Sequence, residues 1–108
     1  MKVAEIILQQ LGGRRFVAMT GSKNFFTNGN DLCMSLSKNS SKANRLQITL
    51  DPDDTYTMRF FRYTAPRLNK KTFEYSDEKI TEINRFENVY CDQLQDLFTL
   101  ETGLLTRF

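Results

Sequence analysis

Arg45-Leu46-Gln47-Ile48-Thr49-Leu50-Asp51-Pro52-Asp53-Asp54-Thr55-Tyr56-Thr57-Met58-Arg59-Phe60 is the stretch that decides the fold. Leu46, Ile48 and Leu50 alternate with polar neighbours, the period-two pattern of a strand with one buried face. Asp51-Pro52-Asp53-Asp54 reads as a turn, because proline presets φ and aspartate side chains bond nearby backbone. Thr55 to Thr64 is the longest strand candidate. It puts Tyr56, Met58 and Phe60 on one face and Arg59, Phe61 and Tyr63 on the other, unless a bulge near Phe60-Phe61 resets the register.

Towards the N-terminus, Leu32, Met34 and Leu36 alternate with Asp31, Cys33, Ser35 and Ser37, which predicts a half-buried strand with one wet face. Asn28-Gly29-Asn30 ahead of it is a hairpin signal, since Asn and Gly tolerate positive φ. Phe25-Phe26-Thr27 reads as extended, and Arg15 to Thr20, rich in strand formers, as another short strand. Gly21-Ser22-Lys23-Asn24 interrupts these two runs as a bulge or loop. Val3, Ile7 and Leu11, four apart, with Ile6 on the same stripe, predict a helix from Lys2 to Leu11 that Gly12-Gly13 ends.

Towards the C-terminus, Lys38 to Asn44 and Ala65 to Lys71 are basic loops. Phe73 and Tyr75 alternate with polar neighbours in a short strand, and Ser76 to Lys79 turns the chain so that Ile80 to Ile83 can pair back. A final helix is expected over Asn88 to Thr102, with Asn88 as N-cap and Gly103 at its end. Tyr90, Leu94, Leu97 and Phe98 would form its buried face, bordered by Cys91, with Leu104, Leu105 and Phe108 folding back onto the sheet. The order predicts one α+β domain over 1–108: an antiparallel sheet of four to six strands, flanked by an N-terminal and a C-terminal helix packed on one face.

Net charge is only +2 over 108 residues, but it is unevenly placed. Residues 14 to 71 hold eleven Lys/Arg and four acids, leaving +7; residues 72 to 108 hold three Lys/Arg and eight acids, leaving −5. Single-stranded nucleic-acid binders combine cations for phosphates with rings for bases. The candidates are Arg59, Phe61 and Tyr63 on the outer face of the long strand, with Lys38, Lys42, Arg67, Lys70 and Lys71 from its flanking loops. Charge reversal at Lys70 and Lys71 is expected to weaken such binding. The competing reading makes these ordinary solvated charges, with Phe61 and Tyr63 covering a second small cluster.

Catalytic signals are poor. Histidine is absent, which removes the usual general base and the commonest metal ligand. Cys33 and Cys91 form no CxxC pair and read as two small, half-buried thiols, too few for a structural zinc. Gly21-Ser22-Lys23 departs from the phosphate-loop spacing, yet such a turn can hold an anion on backbone N–H groups; otherwise it is a glycine-shaped bulge. Asp51, Asp53 and Asp54 lack the spacing of a calcium loop and read as a solvated turn. The expectation is a protein without enzymatic activity, cofactor or metal. No run of apolar residues is long enough to span a membrane, and the N-terminus lacks a cleavage pattern, so a cytoplasmic protein is expected.

Leu11-Gly12-Gly13-Arg14-Arg15-Phe16-Val17-Ala18-Met19-Thr20-Gly21-Ser22-Lys23-Asn24-Phe25 resembles a signature, L-G-G-x-x-F-x-A-M-T-G-x-K-N-F, of small uncharacterised proteins encoded by phages and mobile elements of gut bacteria. Lys42 to Leu50 and Tyr90 to Leu104 fit the same pattern, so the resemblance covers most of the chain; it departs at Leu105, where the group has a tyrosine. The resemblance implies a genetic setting inside a bacterial host cell and no activity, so no functional residue is carried over. The helix–strands–helix order is also similar, at the level of fold, to double-stranded RNA-binding domains. Those carry a basic cluster where the last helix begins; here Glu87 to Asp92 is acidic. Two readings follow: a nucleic-acid-binding accessory protein, or a protein that binds and inhibits a host factor such as a bacterial defence system. A homodimer is compatible with both.

Overall fold

A computed structural model describes residues 3–27 and 29–104. The elements in chain order are α1 (Val3–Leu11), α2 (Arg14–Thr20), β1 (Lys23–Phe26), β2 (Asp31–Ser35), β3 (Arg45–Leu50), β4 (Tyr56–Thr64), β5 (Leu68–Asn69), β6 (Glu74–Tyr75), β7 (Lys79–Val89), a 3-10 turn at Cys91–Gln93, and α3 (Leu94–Thr102). The expected α+β class holds: five antiparallel strands in the order β1-β2-β3-β4-β7, with the β5–β6 pair separate. One core joins the sheet's inner face to all three helices through Ile7, Leu11, Phe16, Leu46, Met58 and Phe98. Outside the described residues lie the expected helix start at Lys2, Asn28 of the hairpin signal, and the return of Leu105 and Phe108.

The pair β3–β4 forms as its alternation requires, with Leu46, Ile48, Tyr56, Met58 and Phe60 buried. The bulge near Phe60 exists, but its extra residue is Ile83 on β7: Phe60 faces Asn84 and Phe61 faces Glu82. Strand β4 keeps its alternation.

Residues Arg15 to Thr20 are helical, which corrects the strand expected there. Phe16 and Thr20 are buried one helical turn apart, and the Thr20 hydroxyl donates to the Phe16 carbonyl at 2.8 Å. A β-branched residue mid-segment favours a strand only weakly, and packing overrides it. Here the Phe16 ring meets Phe98 edge-on at 4.9 Å. Gly13 and Gly21, at φ 60° and 68°, bracket the helix. Gly12 makes the corner between α1 and α2 at φ 121°, and a Cβ there would stand 3.0 Å from Nε2 of Gln95, which donates to the Leu11 carbonyl. Gly12→Ala is therefore expected to destabilise the fold by about 1–3 kcal/mol. The check is the urea midpoint at unchanged m-value; an unmoved midpoint would show that the corner relaxes without strain.

Four smaller expectations also change. Strand β2 is buried on both faces, with no wet side. Arg45 and Gln47 lie opposite Ser35 and Cys33, Gln47 donates to Asp31 at 2.7 Å, and Asn24 donates to Ser35 at 3.2 Å. Phe73 closes the turn between β5 and β6 at φ 58°, and β6 is only Glu74–Tyr75. Asn88 belongs to β7 and is not a helix cap; at the 3-10 turn the Tyr90 N–H donates to Gln93 Oε1 at 2.9 Å and the Gln93 N–H to the Tyr90 carbonyl at 2.9 Å. Tyr90 is exposed and outside the buried face, which Leu94 and Phe98 form with Thr102.

Strands β4 and β7 outrun the sheet. Thr64–Lys79 and Leu68–Tyr75 keep a common register, so residues 64–79 form one two-stranded arm leaving the body beyond Tyr63. The molecule is 50 Å in its longest dimension against 31 and 23 Å in the others. Among the described residues no helix is long and apolar enough to cross a membrane.

Candidate nucleic-acid interface

The eight expected nucleic-acid contacts do not share one surface. Alternation along β4 sends Arg59, Phe61 and Tyr63 to the outer face and Arg62 to the helix side. On the outer face each ring already has a cation. The Arg59 guanidinium lies 4.7 Å from the Phe61 centroid and Arg45 lies 5.5 Å from Tyr63. Arg59 is also bound to Glu82 at 3.1 Å. The Tyr63 hydroxyl donates to Glu78 at 2.9 Å, and that carboxylate pushes the phenol pKa up. These partners offset the face's positive charge and cover part of its rings.

Lys38 and Lys42 meet Arg62 on the helix side, where the arm leaves the body. The loop between β2 and β3 places them. Asn39 donates to the carbonyls of Ser37 and Ala43 at 2.8 and 2.9 Å, and accepts from the Ser41 backbone and hydroxyl. Ser40 anchors the loop to α3 by donating its backbone and hydroxyl groups to the Thr102 carbonyl. Lys42 sits at φ 67°, an uncommon conformation for a residue with a Cβ. Its carbonyl accepts from Arg62 Nη1 at 2.9 Å. Asn44 continues the ladder with its side chain: Nδ2 donates to the Tyr63 carbonyl at 2.8 Å and Oδ1 accepts the Tyr63 N–H at 2.7 Å. The result is a cavity of about 450 Å³ lined by Lys38, Asn39, Lys42, Ala43, Asn44 and Arg62. No carboxylate lines it, and among the described residues none lies within ion-pair distance of its three cations.

Arg67 sits about 17 Å along the arm from Arg62, and Lys70 and Lys71 at its far end, about 25 Å away at the rise of an extended strand. The Gly21-Ser22-Lys23 segment is the cap of α2. The Gly21 N–H donates to the Val17 carbonyl at 3.0 Å and the Ser22 N–H to the Thr20 hydroxyl at 3.3 Å. The buried Ser22 hydroxyl is hydrogen-bonded to that of Thr20, while Lys23 is exposed. The donors needed for an anion cradle are thus engaged internally.

Sequence reasoning missed Arg62 and Arg45. Arg62 was readable in principle: it shares the parity of Met58 and Phe60 but lies past the last core residue, so its head emerges beside the β2–β3 loop. Asp51 and Asp53 of the acidic turn accept from Thr57 and Thr55 hydroxyls. Among the described residues no three His, Cys, Asp or Glu side chains are grouped to hold a metal ion.

The thiols differ from the half-buried pair expected. Cys33 is buried and Cys91 exposed. Burial, and then the Asp31 charge, push the Cys33 thiol up to about 11 from 9.0. An acid whose pKa is raised on folding favours the native state while both states stay protonated. Stability is therefore expected to be flat below about pH 9, then to fall by at most about 1.4 kcal/mol per pH unit up to about pH 11. Urea unfolding of Cys33→Ala checks this: its alkaline loss should be smaller than that of the native chain, and an identical pH profile would assign the loss elsewhere.

No protein family, curated protein or solved structure matches the chain in the comparisons with known proteins.

Proposed function

We propose that the chain is a non-enzymatic nucleic-acid-binding protein, an accessory of a phage or mobile element acting in the cytoplasm of its bacterial host. One observation carries this reading: Lys38, Lys42 and Arg62 converge on a cavity without a carboxylate. Two lysines on a braced loop and an arginine on the adjoining strand β4 suit backbone phosphates, because loop and strand fix their backbone positions before the anion arrives and it meets no competing acid. The half-buried rings Phe61 and Tyr63, on the other side of the same strand, are flanking elements in this reading.

The test is fluorescence anisotropy with labelled single-stranded DNA, duplex DNA and RNA. If three phosphates are neutralised, affinity is expected to fall by about 20- to 40-fold between about 50 and 200 mM salt. Saturable binding with that dependence supports the reading. No binding to any of the three at about 50 mM salt overturns it. The second reading, an inhibitor of a host defence protein, draws on the large apolar side chains exposed along the arm. It expects a stoichiometric complex with one host protein that free nucleic acid does not displace.

A further inference from the structure

Every residue from Ala65 to Arg85 is exposed, although this stretch carries Leu68, Phe73, Tyr75 and Ile80, with Phe73 at 79% and Tyr75 at 72% exposure. A two-stranded ribbon with neither face covered is marginally stable in water. Its charge is sorted by limb. The outgoing limb and turn, residues 65–73, hold Arg67, Lys70 and Lys71 and no acid; the return limb begins with Glu74 and Asp77. None of these five makes an ion pair within the described chain. From 64 to 79 the arm holds four cations and three carboxylates, so its net charge is only +1.

We propose that the arm is a self-association element: two copies pair their arms about a twofold axis, so that the basic limb of each faces the acidic limb of the other. The pattern is self-complementary, as a twofold interface requires of a single surface. The exposed apolar side chains along the two limbs and in the turn supply buried area, and the charges set orientation. This pairing is independent of the phosphate reading, and its test contains no nucleic acid.

The experiment is sedimentation equilibrium of the full chain up to about 100 µM, where an interface with a Kd of about 10 µM is mostly assembled. The native chain is expected to approach twice the monomer mass. Lys70→Glu/Lys71→Glu and Glu74→Lys/Asp77→Lys are each expected to weaken association at least tenfold, as like charges then face each other. The chain carrying all four substitutions should recover association to within about threefold, because the two limbs have exchanged signs. Circular dichroism verifies that each variant keeps the body folded, which these exposed positions do not support. A native chain that stays monomeric throughout overturns the proposal. So does a dimer indifferent to either double substitution, or one that the fourfold exchange fails to restore.

Discussion

Phe98→Ala is expected to remove about 3–5 kcal/mol of stability, a large part of the roughly 5–15 kcal/mol that holds a domain of this size. Phe98 is fully buried. Its ring meets Phe16 edge-on at 4.9 Å and Phe60 at 6.3 Å, so one side chain from α3 joins α2 to the inner face of β4. Truncation loses the transfer free energy of the ring and leaves a cavity that a braced sheet and two short helices cannot collapse to fill. Neither helix is long enough to persist without this packing. Urea unfolding measures the loss. Leu100→Ala, on the same helix but 75% exposed, is the comparison and should stay within about 0.5 kcal/mol of the native chain. A loss below about 1 kcal/mol for Phe98→Ala would mean that α3 does not hold the core as described.

Lys38→Glu/Lys42→Glu is expected to lower affinity for nucleic acid more than tenfold at about 50 mM salt, and to flatten the dependence on salt. Two effects add. Each reversal deletes a phosphate contact, and each puts a carboxylate into a cavity that now holds none. Fewer phosphates neutralised means fewer counterions released, so the change in slope reports the contact count apart from the affinity. Lys23→Glu, on β1 three strands from β4 and outside the cavity's lining, alters net charge and should change affinity by less than about threefold. An equal loss from Lys23→Glu would show that only the overall charge matters.

The part of the fold that was legible in the sequence is the part with an inside and an outside. Leu46, Ile48, Met58 and Phe60 alternate because one face meets the core, and the pairing of β3 with β4 follows from them. Strand β7 was legible only as the short run near Ile80, because among its eleven residues only Val89 is buried and Phe86 half-buried. A ribbon without a core leaves no period to read, and bulges at Ile83 and near Asn88 shift the phase again. Helix α2 was hidden for a different reason: Phe16, Val17 and Thr20 favour strands locally, and what makes the segment helical is Phe98, far away in sequence. The site was half legible. Composition located the basic loop, but Lys38 and Lys42 acquire their third partner from strand parity, while Arg59 loses part of its availability to Glu82 across the sheet.

The strand order β1-β2-β3-β4-β7 follows the chain without a crossover, and this governs how the molecule assembles in time. Each ladder joins a strand to the next long strand along the chain, so the sheet can grow hairpin by hairpin, each closure costing a short loop. The contacts of widest sequence separation are those that bring α1 and α2 to α3, such as Phe16 with Phe98. They close almost the whole chain and gain most once the sheet has drawn the two ends together. Late contacts of this kind act chiefly on the rate of opening. The helix layer is thus expected to be the clasp that sets how long the native state lasts and the meander beneath it to set how quickly that state is reached, so Phe98→Ala should speed unfolding more than it slows folding.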